Sequence, residues 1–358
     1  MNILHTETLK KWGGQQNRVL SEAVGLTKRG HKVIICCHKE SMLAMKARQA
    51  DMKVYEMNMV KQAHIANIAR LIKIIREENI DIVSTHSSVD SWAGGIAAKL
   101  TGRHLVRFRH NLYPVGRDPL TKFIYSIPDR IVAISEAVRD ALIARGVKKD
   151  ITVIYSSVDT GSFNPSAGDI RRELNLPPDA IVIGNTSTFT RVKGQEYLLR
   201  AFNIICDKRP CYLLFAGKPG EHFEDKYLRH VEKRFRQNVI FLGHREDVPV
   251  VLKTIDIFVY PSFMEGLGTA LLEAMAMERP VAVSDIPTFR NFIEDGISGI
   301  FFSPNDPESI AGKVLPLMQD RDLRERVGKK ARATILERFS LEKMTADTET
   351  LYQQIINH

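Results

Sequence analysis

Residues 257–273 read Ile257-Phe258-Val259-Tyr260-Pro261-Ser262-Phe263-Met264-Glu265-Gly266-Leu267-Gly268-Thr269-Ala270-Leu271-Leu272-Glu273, an apolar strand, a turn at Pro261-Ser262 and a glycine-marked helix start. A strand feeding a helix is half of a β-α-β unit, and the pattern recurs on both sides. Upstream stand Ile181 to Ile183, Tyr212 to Ala216 and Val239 to Leu242, and downstream Val281 to Ser284 and Ile300 to Phe302, each followed by a helical segment. An earlier series comprises Ile3-Leu4, Val33 to Cys37, Ile82 to Thr85, Leu105 to Phe108, Ile131 to Ile134 and Thr152 to Ile154. Between these, Gln15 to Lys28 and Ile65 to Arg76 carry apolar residues at helical spacing, with Ile65, Ile68, Leu71, Ile72 and Ile75 expected to face a core. From Ser156 to Pro178 glycine, proline and asparagine cluster and the period is lost, which places a linker there. The expectation is an α/β protein of two doubly wound, Rossmann-like domains facing a central cleft. Residues 1–160 form the first, 161–340 the second, and 341–358 a last helix, opened by Ser340, that returns to the first. In open α/β sheets ligands bind beyond the carboxyl ends of the strands, so functional residues are sought there.

The 358 residues are 44% hydrophobic and 26% charged, which excludes a disordered chain and leaves room for two ordinary domains. No apolar run is long enough for a membrane helix, and Met1 leads straight into a strand without a signal-type segment, so a soluble, cytoplasmic protein is expected. Cys36, Cys37, Cys206 and Cys211 form no CxxC pair and read as reduced core thiols. The net charge of +9 is unevenly divided: residues 1–160 carry +10 and residues 161–358 carry −1. A one-sided basic surface points to an anionic partner. Nucleic acid is not expected, since the cations lie singly along helices without interleaved aromatics.

The chemistry concentrates around Glu265 and Glu273. Glu265 stands at a helix entrance and Glu273 about two turns inside, with Gly266, Leu267, Gly268 and Thr269 between them. Open amides at a helix start suit a diphosphate, and a carboxylate accepts from sugar hydroxyls. Trp12-Gly13-Gly14-Gln15 is a second glycine-rich loop before a helix. It lacks the Gly-Lys-Ser/Thr ending of an ATP-binding loop. Arg191-Val192-Lys193-Gly194 puts two cations at another helix start, where the dipole disfavours them unless an anion compensates. His110, His86 and His5 end or follow strands of the first domain, and Arg107 and Arg109 flank His110 as contacts for a phosphate or an acidic acceptor.

These residues resemble a known family. The two glutamates separated by seven residues after a Tyr-Pro-Ser strand end, with Gly-x-Gly beside the first, are similar to family 4 of the retaining glycosyltransferases with the GT-B fold, particularly bacterial cell-surface glycan and lipopolysaccharide-type transferases. The resemblance spans nearly the whole chain. It implies that Glu265 contacts the donor sugar, Glu273 the nucleotide ribose, and the amides at Gly268 and Thr269 the diphosphate, with Gly266 and Leu267 also binding the nucleotide-sugar. It further implies that Gly14 lies by the donor phosphates, that Lys193 binds phosphate, and that His110 sits beside the transferred sugar. His86 and His5 fall on the acceptor side. Gly217-Lys218-Pro219-Gly220 and Gly243-His244-Arg245-Glu246 would border the base. The family's usual arginine, five or six residues before the lysine, is replaced by Ser187 and Thr188, with Arg191 as its substitute. The implied activity moves a hexose-type sugar from a nucleotide-diphosphate sugar, a UDP-sugar first, to a lipid-linked or cell-surface glycan such as lipopolysaccharide core, at the cytoplasmic membrane face. It needs no cofactor and no metal, because Arg191, Lys193 and the helix start stabilise the leaving diphosphate. A nucleotide-sugar epimerase or a non-catalytic sugar-nucleotide-binding protein remains open. A glycosidase would place its carboxylates on two sides of the bond, and an oxidoreductase would need a third glycine where Leu271 stands.

Overall fold

Seven parallel strands build the first sheet: β1 (Asn2–Glu7), β2 (Lys32–His38), β3 (Lys53–Met57), β4 (Ile82–Thr85), β5 (His104–Arg109), β6 (Arg130–Ala133) and β7 (Ile151–Val153), in the order β3-β2-β1-β4-β5-β6-β7. Its helices are α1 (Gly14–Lys28), α2 (Met42–Gln49), α3 (His64–Glu77), α4 (Ser88–Leu100), α5 (Pro119–Ser126) and α6 (Glu136–Ala144). Parallel neighbours need a crossover, and a helix supplies it at nearly every step. The second sheet holds β8 (Val182–Asn185), β9 (Tyr212–Phe215), β10 (Val239–Phe241), β11 (Ile257–Tyr260), β12 (Val281–Ser284) and β13 (Ile300–Phe302), in the order β10-β9-β8-β11-β12-β13. The remaining helices are α7 (Gln195–Lys208), α8 (Phe223–Leu228), α9 (Val248–Thr254), α10 (Thr269–Ala276), α11 (Pro287–Arg290), α12 (Pro307–Gln319), α13 (Arg321–Arg338) and α14 (Leu341–Ile356). This computed structural model describes residues 1–60, 64–217 and 223–357.

The chain divides into two compact units, Met1–Ser157 with Leu341–His358, and Val158–Ser340. In the first, alternate residues of the central strands feed separate cores. Ile3, Ile35 and Cys37 pack with Val19 and Tyr352 on one face, while Leu4, Ile34 and Cys36 pack with Leu71 and Ile75 on the other. A sheet covered on both faces explains why its strands read as unbroken apolar runs. All four cysteines are free and buried, and burial lifts the Cys37 thiol to about 11.

Several elements have no counterpart among the segments read from the sequence, and β3 and α2 show why. β3 is an edge strand whose Lys53, Tyr55 and Glu56 dilute its apolar pattern, and α2 is a short helix capped by Ser41, whose Oγ accepts from the Ala44 amide at 3.1 Å. Ile65, expected in the core, is 86% exposed in the first turn of α3; the buried face starts further along, with Leu71, Ile74 and Ile75.

α14 packs against α1. A Cβ on Gly25 would lie 2.3 Å from Thr345 Oγ1, so the helices approach as closely as they do because residue 25 has no side chain. Gly25→Val is expected to cost about 1–3 kcal/mol through overpacking, read as a thermal midpoint lowered by several degrees in calorimetry. An unchanged midpoint would contradict this packing.

Candidate functional site

In the second unit β8 and β11 are neighbours while β9 lies beyond β8, so the strand order reverses between them. That switch point opens the space where ligands of such sheets bind. The segments leaving it carry Lys193 on one side and Glu265 on the other.

Lys193 sits in a single 3-10 turn, Arg191–Lys193, followed by Gly194 in the left-handed region (φ 68°). A Cβ on Gly194 would lie 2.2 Å from the Pro261 carbonyl oxygen, so only glycine lets the turn press against the loop after β11. Two bonds stitch the segments together: the Phe263 amide donates to the Val192 carbonyl at 3.1 Å, and Ser262 Oγ donates to the same oxygen at 3.0 Å. The result is a three-membered cluster. Lys193 Nζ donates to Glu265 Oε1 at 2.5 Å and to Tyr260 Oη at 3.0 Å, and Tyr260 Oη donates to the same Glu265 oxygen at 2.8 Å. Burial and the neighbouring Glu265 carboxylate push the Tyr260 phenol well above its usual range, so it stays a donor. Glu265 thus supplies an anion for Lys193, one of the two cations of this turn.

α10 is preceded by Gly268, whose left-handed backbone (φ 89°) brings it against Tyr260 and Phe289; a Cβ would lie 3.3 and 3.1 Å from their rings. No side chain caps this helix, which leaves its first amides presented at the strand ends. Glu273, further along α10, is held up to about 7 by burial alone. No cation pairs with it among the described residues.

The rim beside this cluster is made by backbone. A Cβ on Gly217 would lie 2.2 Å from the Ser187 carbonyl oxygen, and the Gly217 amide donates to the Gly243 carbonyl at 2.7 Å, so the loops after β8, β9 and β10 meet. Ser187 is itself held by the buried Asn185, which accepts from its Oγ at 2.5 Å and donates to the Val259 carbonyl at 2.9 Å. His244 follows Gly243 and is exposed. Lys218, Pro219 and Gly220 lie outside the described residues.

In the first unit three histidines form a row at the ends of three adjacent strands. His5 Nδ1 lies 2.9 Å from His86 Nε2, and His86 Nδ1 lies 3.0 Å from His110 Nε2. Gly14 is the first residue of α1, which likewise has no side-chain cap. Beside it, the Glu7 carboxylate accepts from the Thr8 and Leu9 amides at 2.7 and 2.9 Å and from Gln15 Nε2 at 2.6 Å, shaping the loop. Burial and Asp90 raise Glu7 to about 7.

The two arginines beside His110 part company. Arg109 donates to the Tyr113 carbonyl at the edge of the unit. Arg107, expected among the acceptor contacts, is instead buried: its guanidinium lies 3.7 Å from the centre of the Tyr125 ring and donates to the Ile124 carbonyl at 3.2 Å, so it fastens α5 to the sheet. Arg191 is exposed and its side chain joins no hydrogen bond or ion pair among the described residues, so Lys193 and Glu265 come together without it. Tyr260, Glu7 and Asn185 escaped the sequence reading because each sits inside a strand pattern, where its side chain looks like one more core or edge position.

A cavity of about 700 Å³ opens between α5 and the chain after α6. Val115, Tyr125 and Val147 give it apolar walls, Arg117, Lys122, Arg145, Lys148 and Lys149 surround it, and no acidic residue among the described residues lines it. α5 lines it with Thr121, Lys122, Tyr125 and Ser126 and exposes Leu120 and Phe123 on its other side. The excess positive charge of residues 1–160 therefore has a place.

Sequence profiles described as "Glycosyltransferase Family 4" and "Glycosyl transferases group 1" match residues 12–162 and 166–334, one for each unit. The N-acetyl-alpha-D-glucosaminyl L-malate synthase of Bacillus anthracis is 24% identical, with 82% of this chain and 79% of that protein covered. The UDP-Gal:alpha-D-GlcNAc-diphosphoundecaprenol alpha-1,3-galactosyltransferase of Escherichia coli is 25% identical over 81% of this chain and 79% of its own length. Among solved structures, that of Anabaena HepE in complex with UDP superposes with a TM-score of 0.86 at 20% identity, covering 99% of this chain and all of the other. With both halves matched and both sheets doubly wound, the chain belongs to the family 4 glycosyltransferases of the GT-B fold.

Proposed function

We propose that this glycosyltransferase moves a hexose from a UDP-sugar to an anionic or lipid-linked glycan, with retention at the anomeric carbon and without a metal ion. The observation that carries the reading is the cluster of Lys193, Glu265 and Tyr260 beside the uncapped start of α10. A leaving diphosphate there meets one fixed ammonium and a row of backbone amides, donors that need no rearrangement as charge develops. Glu265, drawn toward Lys193 through Oε1, keeps Oε2 for a sugar hydroxyl. Glu273 takes the ribose hydroxyls, His110 supports the transferred sugar, and the departing phosphate accepts the acceptor's proton. The UDP donor is supported by the complex of the Anabaena relative. The lipid-linked acceptor is supported by the diphosphoundecaprenol substrate of the Escherichia coli relative and by the cation-lined cavity. The cations around that cavity also suit contact with the cytoplasmic face of an acidic membrane, at about 1 kcal/mol per lysine or arginine near the surface.

The test is nucleotide release from UDP-, GDP- and ADP-sugars, first alone and then with an anionic lipid-glycan extract, comparing wild type with Glu265→Ala. Release from UDP-sugars that rises with extract, weakens in high salt and disappears in the variant is expected. Conversion of the donor to another sugar without release would make the protein an epimerase, and binding without turnover in every condition would make it a binding protein.

A further inference from the structure

The row of histidines does not stop at His5. Its Nε2, fully buried and without a hydrogen bond, faces Glu22 Oε1 at 3.9 Å. Glu22 and Arg18, both on α1, form a buried ion pair at 3.2 Å, and Tyr352 Oη of α14 donates to Glu22 at 3.2 Å. Other charged neighbours are Asp90 of α4, which accepts from the His86 amide at 2.7 Å, and Arg109, next to His110 in sequence. We propose that Glu22 is a positioning residue that sets, through His5 and His86, which nitrogen of His110 carries its proton, and so whether His110 accepts from or donates to its substrate.

Burial, with Arg18 and the neighbouring rings adding to it, holds all three imidazoles below the usual histidine range, His5 at about 3, so each carries one proton at neutral pH. Each nitrogen–nitrogen contact has room for one proton, and three neutral rings joined end to end have only two arrangements. With Glu22 ionised, His5 points Nε2–H at it, Nδ1 accepts from His86 Nε2–H, His86 Nδ1 accepts from His110 Nε2–H, and His110 Nδ1 is left bare as an acceptor. With Glu22 neutral the order reverses and His110 Nδ1 becomes a donor. The change needs one proton entering at His110 Nδ1, one hop across each of the two contacts, and a last transfer from His5 Nε2 to Glu22 as the pair closes from 3.9 Å. No imidazolium persists and no other reactant is consumed. Burial raises Glu22 above the ordinary carboxylate range while Arg18 draws it back, so lowering the pH drives the reversal.

The test uses protein labelled with 15N in histidine, whose long-range 1H–15N spectra separate the two tautomers, for wild type, Glu22→Gln and Tyr352→Phe. Wild type and Tyr352→Phe are expected to show His110 with Nε2–H, and Glu22→Gln to shift it toward Nδ1–H and to lower kcat at least tenfold with the donor KM little changed. A His110 spectrum identical in wild type and Glu22→Gln overturns the proposal, as does an equal shift in Tyr352→Phe, which would mark a packing effect. The spectra do not depend on the proposed function, whereas the kinetic effect rests on it: a shifted tautomer with wild-type kcat would refute the role of His110 in transfer and leave the relay standing.

Discussion

Lys193→Met is expected to lower turnover by about 10²–10³-fold, the effect of removing one preorganised donor from a site where charge develops. Lys193 Nζ is fixed by Tyr260 and Glu265, so it meets the phosphate in one place rather than sampling many. The same change leaves Glu265, whose side chain is only 10% exposed, without its cation. An unpaired, largely buried carboxylate destabilises a fold, so the thermal midpoint should fall as well. The two effects separate in the double variant: adding Glu265→Gln removes the stranded charge and restores the midpoint but not the turnover. Single-turnover rates and calorimetry on the three variants read both. Additive losses in midpoint would show that Lys193 and Glu265 do not act as a pair.

Glu273→Gln should stabilise the free protein at pH 8 while weakening UDP about ten- to a hundredfold, the worth of a hydrogen bond pair to a charged group. Glu273 is raised from 4.5 to about 7 by burial. A carboxyl whose folded pKa is raised contributes fully below its unfolded value, and that contribution is lost as pH climbs from 4.5 through 7. Ionised at pH 8, Glu273 therefore costs the fold about 3 kcal/mol, which the neutral glutamine does not. Melting curves of the two proteins should coincide near pH 4.5 and diverge steadily to pH 8. Titration calorimetry with UDP should show wild-type affinity falling below pH 7 and the variant insensitive to pH. A variant that melts lower than wild type at pH 8 would sink this account.

Much of the architecture can be read before any coordinates, because a strand buried on both faces is written as an apolar run and the intervening helices carry their own period. β11, β12 and β2 are of this kind. β3 and α2 were invisible because an edge strand needs one buried face only and an eight-residue helix holds barely two turns of pattern. The site divides in the same way. Gly194, Gly217 and Gly268 stand out as glycines after strands, and the structure shows a carbonyl or a ring filling the place of each missing Cβ. Partnership is what composition cannot convey. Nothing in the spelling of Lys193 says that its anion is Glu265, since that pairing spans 72 residues and is made by a turn pressed onto the loop after β11. Arg107 and Arg109 look equivalent on paper, yet the first is sealed under Tyr125 and the second reaches the edge.

The first unit takes its last helix from the far end of the chain, and Tyr352 on that helix touches both Glu22 and Ser84. During synthesis, then, Arg18 and Glu22 leave the ribosome long before the hydroxyl that helps satisfy them. The whole second unit, Val158–Ser340, must be made in between, about 10–40 s of elongation at 5–20 residues per second. For that interval the nascent first unit carries an uncovered apolar face on α1, next to Gly25, and a charge pair open to water. A chaperone that shields this face, or a second unit that folds fast enough to deliver α14 promptly, decides how much of the protein reaches its final form.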